Sequence, residues 1–338
     1  MSSRHRHIQL RIRDVQDQVA DSRTIVLEHA HRDSTDDYAA GQFLTLHLPV
    51  GAERTISRSY SLSSCPVSDT YPAITIKREP DGEGSNWLFS HARPGLLLDA
   101  SPASGNFKLD STTRPILLFA AGVGVTPVFS ILKNALRTTE RGIHLHYSVK
   151  SPDEALFLPE IRELGSRYSR RLMVTMHYTE RHGRLDLEQA VDVIRDQTQA
   201  TVYVCGPPAY IDLVRRAAHD AHLPPDRFVT EAFTPVSTIP ATDSEQPDAT
   251  AHVTLGGTTH VVPWPQGKPL VDALLDHGLQ APFSCRQGEC LTCECRITGG
   301  EGEMRHNGVL DEEDIEDGYA LACQLIPKTE AVHVEFPS

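Results

Sequence analysis

The chain has 338 residues, of which 39% are hydrophobic and 23% charged, with 32 Lys and Arg against 45 Asp and Glu. That length accommodates two or three domains with ample cores, and no apolar run approaches the ~20 residues that a membrane-spanning helix requires. The net charge of -13 is concentrated late in the chain, where residues 251–338 hold 14 acids and 5 bases; this argues against nucleic acid as a partner and suggests either a docking face for a basic protein surface or an acidic surface that keeps the module soluble. Seven cysteines, an odd number clustered toward the C-terminal end, fit a reducing compartment better than a disulfide scaffold. The first seven residues are polar and lack the apolar stretch of a secretory signal, so the expected location is the cytoplasm, with no membrane association.

The first segment reads as β structure. Ile8 to Val15, Thr24 to Glu28 and Gln42 to Leu48 are short runs rich in Ile, Val, Leu and Thr, broken by Gly, Pro and Asp, as in an antiparallel sheet or barrel. Arg58-Ser59-Tyr60-Ser61 follows, then Ala73 to Arg78, which includes Lys77. Gly82-Glu83-Gly84-Ser85 comes next, and the run from Ser85 is able to cap and open a short helix. Trp87 reads as a core aromatic, and 102–107 resembles a loop that closes a barrel.

The second segment alternates strands and helices. Pro115 to Ala121 is a continuous apolar run, as in a buried parallel strand. It leads into Gly122-Val-Gly124-Val-Thr126-Pro127, and a helical period follows over 128–136. Strand, glycine turn and helix form the phosphate-cradling unit of dinucleotide folds, with Pro127 pre-set for a first helical turn. Further strands are expected at 143–149, 172–178 and 201–205, and helices at 155–164, 187–195 and 209–219. That alternation predicts a parallel α/β sheet. Cys205-Gly206-Pro207 ends the last of these strands, and Glu231-Ala-Phe233 closes the segment.

Residues 234–250 are rich in Pro, Ser, Thr and acids without apolar periodicity, the composition of a tether. Two strands flanking Gly256-Gly257 read as a hairpin, 270–277 as a helix and 332–336 as a strand. Between them lies Cys285-x4-Cys290-x2-Cys293, with Cys323 further on. This is the spacing by which plant-type ferredoxins hold a [2Fe–2S] cluster. A structural zinc site or two disulfides are the alternatives, but zinc sites favour two short Cys pairs, and only Cys290 and Cys293 form one. Cys295 reads as a buried neighbour, and the acidic run 311–317 as a solvated helix face.

In this order the motifs resemble the ferredoxin–NADP reductase superfamily over nearly the whole chain. That family writes R-x-Y-S and G-x-x-S in its flavin barrel, and G-x-G-x-T-P, C-G-P and E-x-F in its nucleotide domain. The resemblance implies a flavin-binding antiparallel β-barrel (1–110), an NAD(P)-binding α/β domain (111–233), a linker (234–250) and a C-terminal β-grasp ferredoxin domain (251–338). It further implies that Arg58 pairs with a flavin phosphate, that Tyr60 packs on the isoalloxazine, and that Ser61 bonds near N5. Ser59 and Lys77 are further flavin contacts, and Gly82, Gly84 and Ser85 sit at the pyrophosphate. Gly122, Gly124, Thr126, Pro127, Cys205, Gly206, Pro207 and Phe233 face the nucleotide or the flavin. Ser61, Cys205 and Glu231 shape the hydride encounter, and Cys285, Cys290, Cys293 and Cys323 hold the cluster.

The pyrophosphate motif implies FAD, although reductases of the phthalate dioxygenase reductase type use FMN with a Gly-Gly-Ser variant that Glu83-Gly84-Ser85 does not match. NADH is the implied donor, while Ser148 and Lys150 are candidates to meet the 2′-phosphate of NADPH. The implied activity is electron transfer from NAD(P)H through flavin and cluster to a Rieske-type oxygenase, the terminal oxygenase component that docks transiently. A di-iron monooxygenase is the alternative partner, and a redox-responsive binding module the alternative class. One departure stands out: most relatives have glycine after the second loop cysteine, where this chain has Leu291, a side chain expected to crowd the loop or limit solvent access.

Overall fold

The computed structural model describes residues 8–19, 21–30, 38–51, 54–233 and 249–337, which form two compact units. In the first, β1 (Ile8–Asp17), β2 (Ser22–His29), β3 (Phe43–Pro49), β4 (Thr55–Ser61) and β5 (Ala73–Lys77) precede helix α1 (Glu83–His91) and strand β6 (Leu97–Ser104). The strand order is β4-β3-β6-β1-β2-β5, with β1 antiparallel to β2 and β6, β2 to β5, and β3 to β6. A bridge from Leu62 to Ile74 joins the two edges and turns the sheet into a barrel. Alternate residues fill its core, among them Leu10, Ile12, Ile25, Leu27, Leu46, Leu48, Ile74 and Leu98, the period-two pattern of a sheet with one buried face.

Strand β6 departs from the expected loop. Pro102 argues against a strand, because proline cannot donate to the ladder. The structure accommodates it at an irregularity, where the register against β3 shifts between Phe43 and Thr45, opposite Ser104 and Ser101. Trp87 is half-buried, with its ring stacked 4.7 Å from that of His91.

The same unit continues with β7 (Ile116–Ala121), α2 (Val125–Thr138), β8 (Ile143–Val149), α3 (Leu158–Arg167), β9 (Leu172–Tyr178), α4 (Thr179–His182), α5 (Leu187–Arg195), β10 (Thr201–Cys205), α6 (Pro208–Asp220) and β11 (Phe228–Glu231). The sheet order β11-β10-β7-β8-β9 is parallel throughout. Every residue of β7, β8 and β10 is buried, because helices cover both faces. The helix expected from 155 begins later: Phe157 takes a left-handed conformation (φ 58°) and stacks 4.5 Å from Phe129 before α3 starts. Pro127 falls in the first turn of α2, where its missing N–H has no intrahelical partner to lose.

One face of β8 and β9 carries buried imidazoles. His146 lies 5.3 Å from the Phe119 ring and 5.7 Å from His177, and its Nδ1 has no hydrogen-bond partner. Burial, aided by the charges of His177 and His144, pushes the His146 pKa down to about 4. Below its ordinary range near 6.5 the unfolded chain therefore takes up a proton that the folded chain refuses. Stability falls as pH drops from about 6.5 to 4, by up to roughly 3 kcal/mol. Denaturant midpoints measured between pH 7 and 4.5 should show this decline, and His146→Leu should flatten it. An equally steep decline in the variant would place the acid sensitivity elsewhere.

The second unit contains β12 (Ala249–Leu255), β13 (Thr258–Trp264), α7 (Leu270–Asp276), β14 (Glu294–Gly299), β15 (Gly302–Met304), α8 (Glu312–Glu316), β16 (Tyr319–Leu321), β17 (Leu325–Pro327) and β18 (Ala331–Glu335). Its main sheet runs β13-β12-β18-β14-β16, with β12 and β18 parallel and the other pairs antiparallel. Strands β15 and β17 pair separately. Trp264, Leu270, Leu274, Val253, Val332 and Phe336 pack the space between α7 and the sheet. Of the expected tether, residues 234–248 lie outside the described residues, and Ala249 and Thr250 already belong to β12. The acidic run is only partly a solvated face. Asp311 caps α8 by accepting from the Asp314 backbone at 2.8 Å, Asp314 is buried, and the apolar Ile315 is 46% exposed.

Candidate functional site

The chain leaves β7 toward β8 on one side of the parallel sheet, while β10 lies on the other. The carboxyl ends of β7 and β10 therefore frame a topological switch point, where open α/β sheets bind ligands. Gly122 to Gly124 make a single tight turn after β7, and Cys205-Gly206-Pro207 follow β10. A Cβ on Gly124 would lie 2.3 Å from the Cys205 carbonyl oxygen, so only glycine lets the two turns approach. Thr126 donates to the Val123 carbonyl at 3.0 Å and closes the first turn onto α2.

Cys205 stands beside Glu231 across the β10–β11 ladder. The Ser61 hydroxyl, brought by the end of β4, donates to Glu231 Oε2 at 2.9 Å, with both residues 5% exposed. The three residues expected at the hydride encounter thus meet, although 170 positions separate Ser61 from Glu231. Burial, with the Glu231 charge second, holds the Cys205 thiol well above its ordinary pKa. That keeps the sulfur a neutral packing surface and not a nucleophile. Phe233 is exposed.

A cavity of about 420 Å³ opens at these strand ends, lined by Gly122, Ser148, Lys150, Glu154, Pro207 and Arg216 among others. Lys77 also lines it, 3.7 Å from Glu154, so this residue of β5 reaches the cavity at the ends of the parallel strands.

On the barrel, Arg58 is exposed in β4, where its Nη1 donates to the Ser57 carbonyl at 2.8 Å, while Ser59 and Tyr60 are half-buried. Helix α1 starts after Gly82 without a side-chain cap, which leaves its first N–H groups to an anion. Gly84 and Ser85 are buried, and the Ser85 hydroxyl donates to the Gly82 carbonyl at 3.1 Å and accepts from the Glu79 N–H at 3.0 Å. Asn86 secures the same turn through Nδ2, donating to the carbonyls of Glu79, Pro80 and Gly82 at 3.0, 3.2 and 3.0 Å. In the sequence Asn86 belongs to the run Asn86-Trp87-Leu88 after Ser85, which resembles the FAD-using group of the family. An uncapped helix start beside a held turn suits a pyrophosphate, and so fits FAD.

In the second unit the four cysteine sulfurs fall into two pairs. A hydrogen bond links the Cys285 and Cys290 side chains, and another links Cys293 and Cys323. The hydrogen bond within each pair holds the thiols of Cys290 and Cys323 below their ordinary pKa and those of Cys285 and Cys293 above it. Backbone N–H groups of Cys285, Gln287 and Cys323 point at Cys290, Cys285 and Cys293 at 3.4, 3.3 and 3.5 Å. Gln324 Nε2 reaches the Cys323 sulfur at 3.7 Å and the Arg286 carbonyl at 2.8 Å.

Among the described residues no three His, Cys, Asp or Glu converge as for a single metal ion, and all seven cysteines are free. Two thiolate pairs suit two irons better than one zinc, and N–H groups aimed at sulfur suit thiolates. Gly288 has φ +75°, and a Cβ there would lie 2.8 Å from the His306 carbonyl oxygen, so the loop requires glycine. Leu291 takes φ 58°, a left-handed conformation that favours glycine and that Leu holds at a cost. Its side chain is half-buried against the core of this unit, which offsets that cost. Cys295 is buried, with its thiol donating to the Ala320 carbonyl at 3.5 Å, and has no part in the pairs.

Family models for an oxidoreductase FAD-binding domain, an oxidoreductase NAD-binding domain and a 2Fe-2S iron-sulfur cluster binding domain match residues 9–109, 118–216 and 253–328. The chain is 36% identical to the ferredoxin reductase component of 3-ketosteroid-9-alpha-monooxygenase from Rhodococcus rhodochrous, over 98% of this chain and 97% of that protein.

The chain belongs to the ferredoxin–NADP reductase superfamily.

This reductase is also 29% identical to the glycine betaine monooxygenase reductase subunit of Pseudomonas aeruginosa, over 87% of this chain and 86% of that protein. Its fold matches that of phthalate dioxygenase reductase with a TM-score of 0.64 at 22% identity, covering 98% of both chains. The reductase is an oxidoreductase that carries electrons from NAD(P)H through FAD to a [2Fe–2S] cluster and serves as an electron-transfer component. No helix among its described residues is long and apolar enough to cross a membrane.

Proposed function

We propose that this reductase is the cytoplasmic electron donor of a Rieske-type terminal oxygenase, drawing on NADH. The observation that carries the reading is likeness along 98% of the chain to an oxygenase reductase component, joined to sites for nucleotide, flavin and cluster in one polypeptide. The bound cofactors supply the redox chemistry, with two electrons entering as hydride and single electrons leaving. The protein supplies position. In the proposed division, residues 1–110 hold FAD, 111–233 the nucleotide and 251–338 the cluster, joined by 234–250.

Arg58 binds a flavin phosphate, Tyr60 packs on the ring, and the uncapped start of α1 at Gly82, Gly84 and Ser85 takes the pyrophosphate. Glu231 fixes the Ser61 hydroxyl, and Cys205 presents a neutral, close-fitting surface to the nicotinamide. Cys285, Cys290, Cys293 and Cys323 ligate the cluster. The 14 acids against 5 bases of residues 251–338 steer this end of the chain to a basic face of the oxygenase.

Anaerobic titration with NADH tests the path: flavin and cluster absorbance should both fall, and the reduced protein should then reduce a purified Rieske oxygenase. Flavin bleaching with an unreduced cluster would overturn the path. Reduction of the cluster with no electrons reaching the oxygenase would overturn the partner.

A further inference from the structure

Hydrogen bonds to the sulfurs of an iron–sulfur site tune the ease with which it takes an electron. Backbone N–H groups reach the sulfurs of Cys285, Cys290 and Cys293. At Cys323 the donor is a side chain, with Gln324 Nε2 3.7 Å from the sulfur. A backbone donor survives almost any substitution, whereas this one belongs to the glutamine itself.

The surrounding structure fixes that amide. Its nitrogen carries two hydrogens, and besides the sulfur it reaches the Arg286 carbonyl at 2.8 Å. One nitrogen thus joins the loop that carries three of the cysteines to the segment that carries the fourth, 38 positions away. The Gln324 backbone is held on both sides: its N–H donates to the Leu321 carbonyl at 2.8 Å, and its carbonyl accepts from the Arg305 N–H at 3.0 Å. A Cβ on Gly288 would lie 3.0 Å from Gln324 Cγ, so the glutamine stem lies against the loop. At the other end Arg286 takes a left-handed conformation, φ 54°. Its guanidinium pairs with Asp272 of α7 at 2.7 Å and lies over the Phe283 ring at 4.4 Å from the centroid, which anchors the carbonyl that Gln324 engages.

Four thiolates make a bound cluster an anion, and an added electron deepens that charge. An N–H aimed at a ligand sulfur is therefore worth more in the reduced state, because hydrogen bonds to charged acceptors are the stronger ones. We propose that Gln324 is a positioning residue that clamps Arg286 to Cys323 and, through its N–H on the Cys323 sulfur, raises the potential of the cluster so that electrons pass forward from the flavin. The inference rests on reading Cys285, Cys290, Cys293 and Cys323 as the ligands.

Anaerobic dye-coupled titration followed by EPR measures the cluster potential in the FAD- and iron-loaded parent and in Q324L, Q324E and Q324K, with the flavin of the same molecule as internal reference. Leucine keeps an apolar stem without a donor. It should shift the reduction equilibrium against the dye about tenfold toward the oxidised form, the scale of one hydrogen bond to a charged acceptor, or about 59 mV for one electron. Q324E should shift it further the same way, and Q324K, which brings a charged donor, the opposite way, while the flavin potential stays put. A Q324L protein that keeps its iron and lies within twofold of the parent equilibrium would overturn the inference. So would leucine, glutamate and lysine variants that all shift in one direction, since that marks a loosened loop and not a donated hydrogen bond. A parent without iron, or one that keeps all its iron after Cys323→Ser, would overturn the ligand reading instead.

Discussion

Replacing Gly124 by alanine should slow flavin reduction by NADH roughly 100-fold while FAD stays bound and the cluster stays intact. The added Cβ would lie 2.3 Å from the Cys205 carbonyl oxygen, 2.5 Å from its carbon and 2.7 Å from the Gly206 nitrogen, where ordinary contact begins at 3.4 Å. All three obstacles are backbone, so no side chain can swing aside. The turn after β7 and the turn after β10 must separate by about 1 Å, and a misplacement of that size costs on the order of 100-fold in a reaction that depends on alignment. Cys205 is buried and paired in register with Glu231, so its displacement also disturbs the carboxylate that receives the Ser61 hydroxyl. Anaerobic stopped-flow bleaching of the flavin measures the rate, and the flavin-to-protein ratio confirms that the barrel is intact. A rate within twofold of the parent would mean that the approach of these turns does not set the hydride geometry.

Much of this architecture was legible because strong local signals coincide with it. The buried strands β7, β8 and β10 are continuous apolar runs, and the cysteine spacing states its own chemistry. What stayed hidden depends on partners distant in sequence or on a local rule that tertiary structure overrode. Strand β6 contains Pro102, a residue excluded from a regular ladder but tolerated at a shifted register, so its sequence does not announce a strand. Strand β11 is only four residues long, too short for a period to show, and its neighbour in the sheet supplies the hydrogen bonds. Phe157 broke the expected helix through a left-handed turn that suits its stacking on Phe129.

The site shows the same division. Ser61 and Glu231 were each expected near the flavin, yet their hydrogen bond spans 170 positions and no local pattern encodes it. Lys150 was expected as a possible phosphate ligand. Glu154 is its i+4 neighbour, while Glu180 reaches it from beyond β9, and no local pattern encodes that second ion pair. Within the acidic run, composition pointed to a solvated face, whereas the cap geometry turns Asp314 inward and leaves Ile315 out.

Replacing Cys290 by serine should abolish electron delivery to cytochrome c or an oxygenase while flavin reduction by NADH continues near the parent rate. Serine keeps the volume of cysteine but replaces a soft sulfur with a hydroxyl that stays protonated at neutral pH, a poor ligand for iron. The substitution also removes the sulfur that accepts the Cys285 N–H at 3.4 Å and the side chain paired with Cys285, so one of the two iron positions loses half of its thiolates. Iron content should fall well below the two atoms per chain of a [2Fe–2S] cluster. Cys295→Ser is the contrast. Cys295 is more buried than any of the four, at 1% exposure, but its sulfur already donates to the Ala320 carbonyl, a role that a hydroxyl can take over. That variant should keep its iron and lose only on the order of 1 kcal/mol of stability. If Cys295→Ser loses iron as fully as Cys290→Ser, or if Cys290→Ser still reduces cytochrome c at the parent rate, the ligand set of two thiol pairs is wrong.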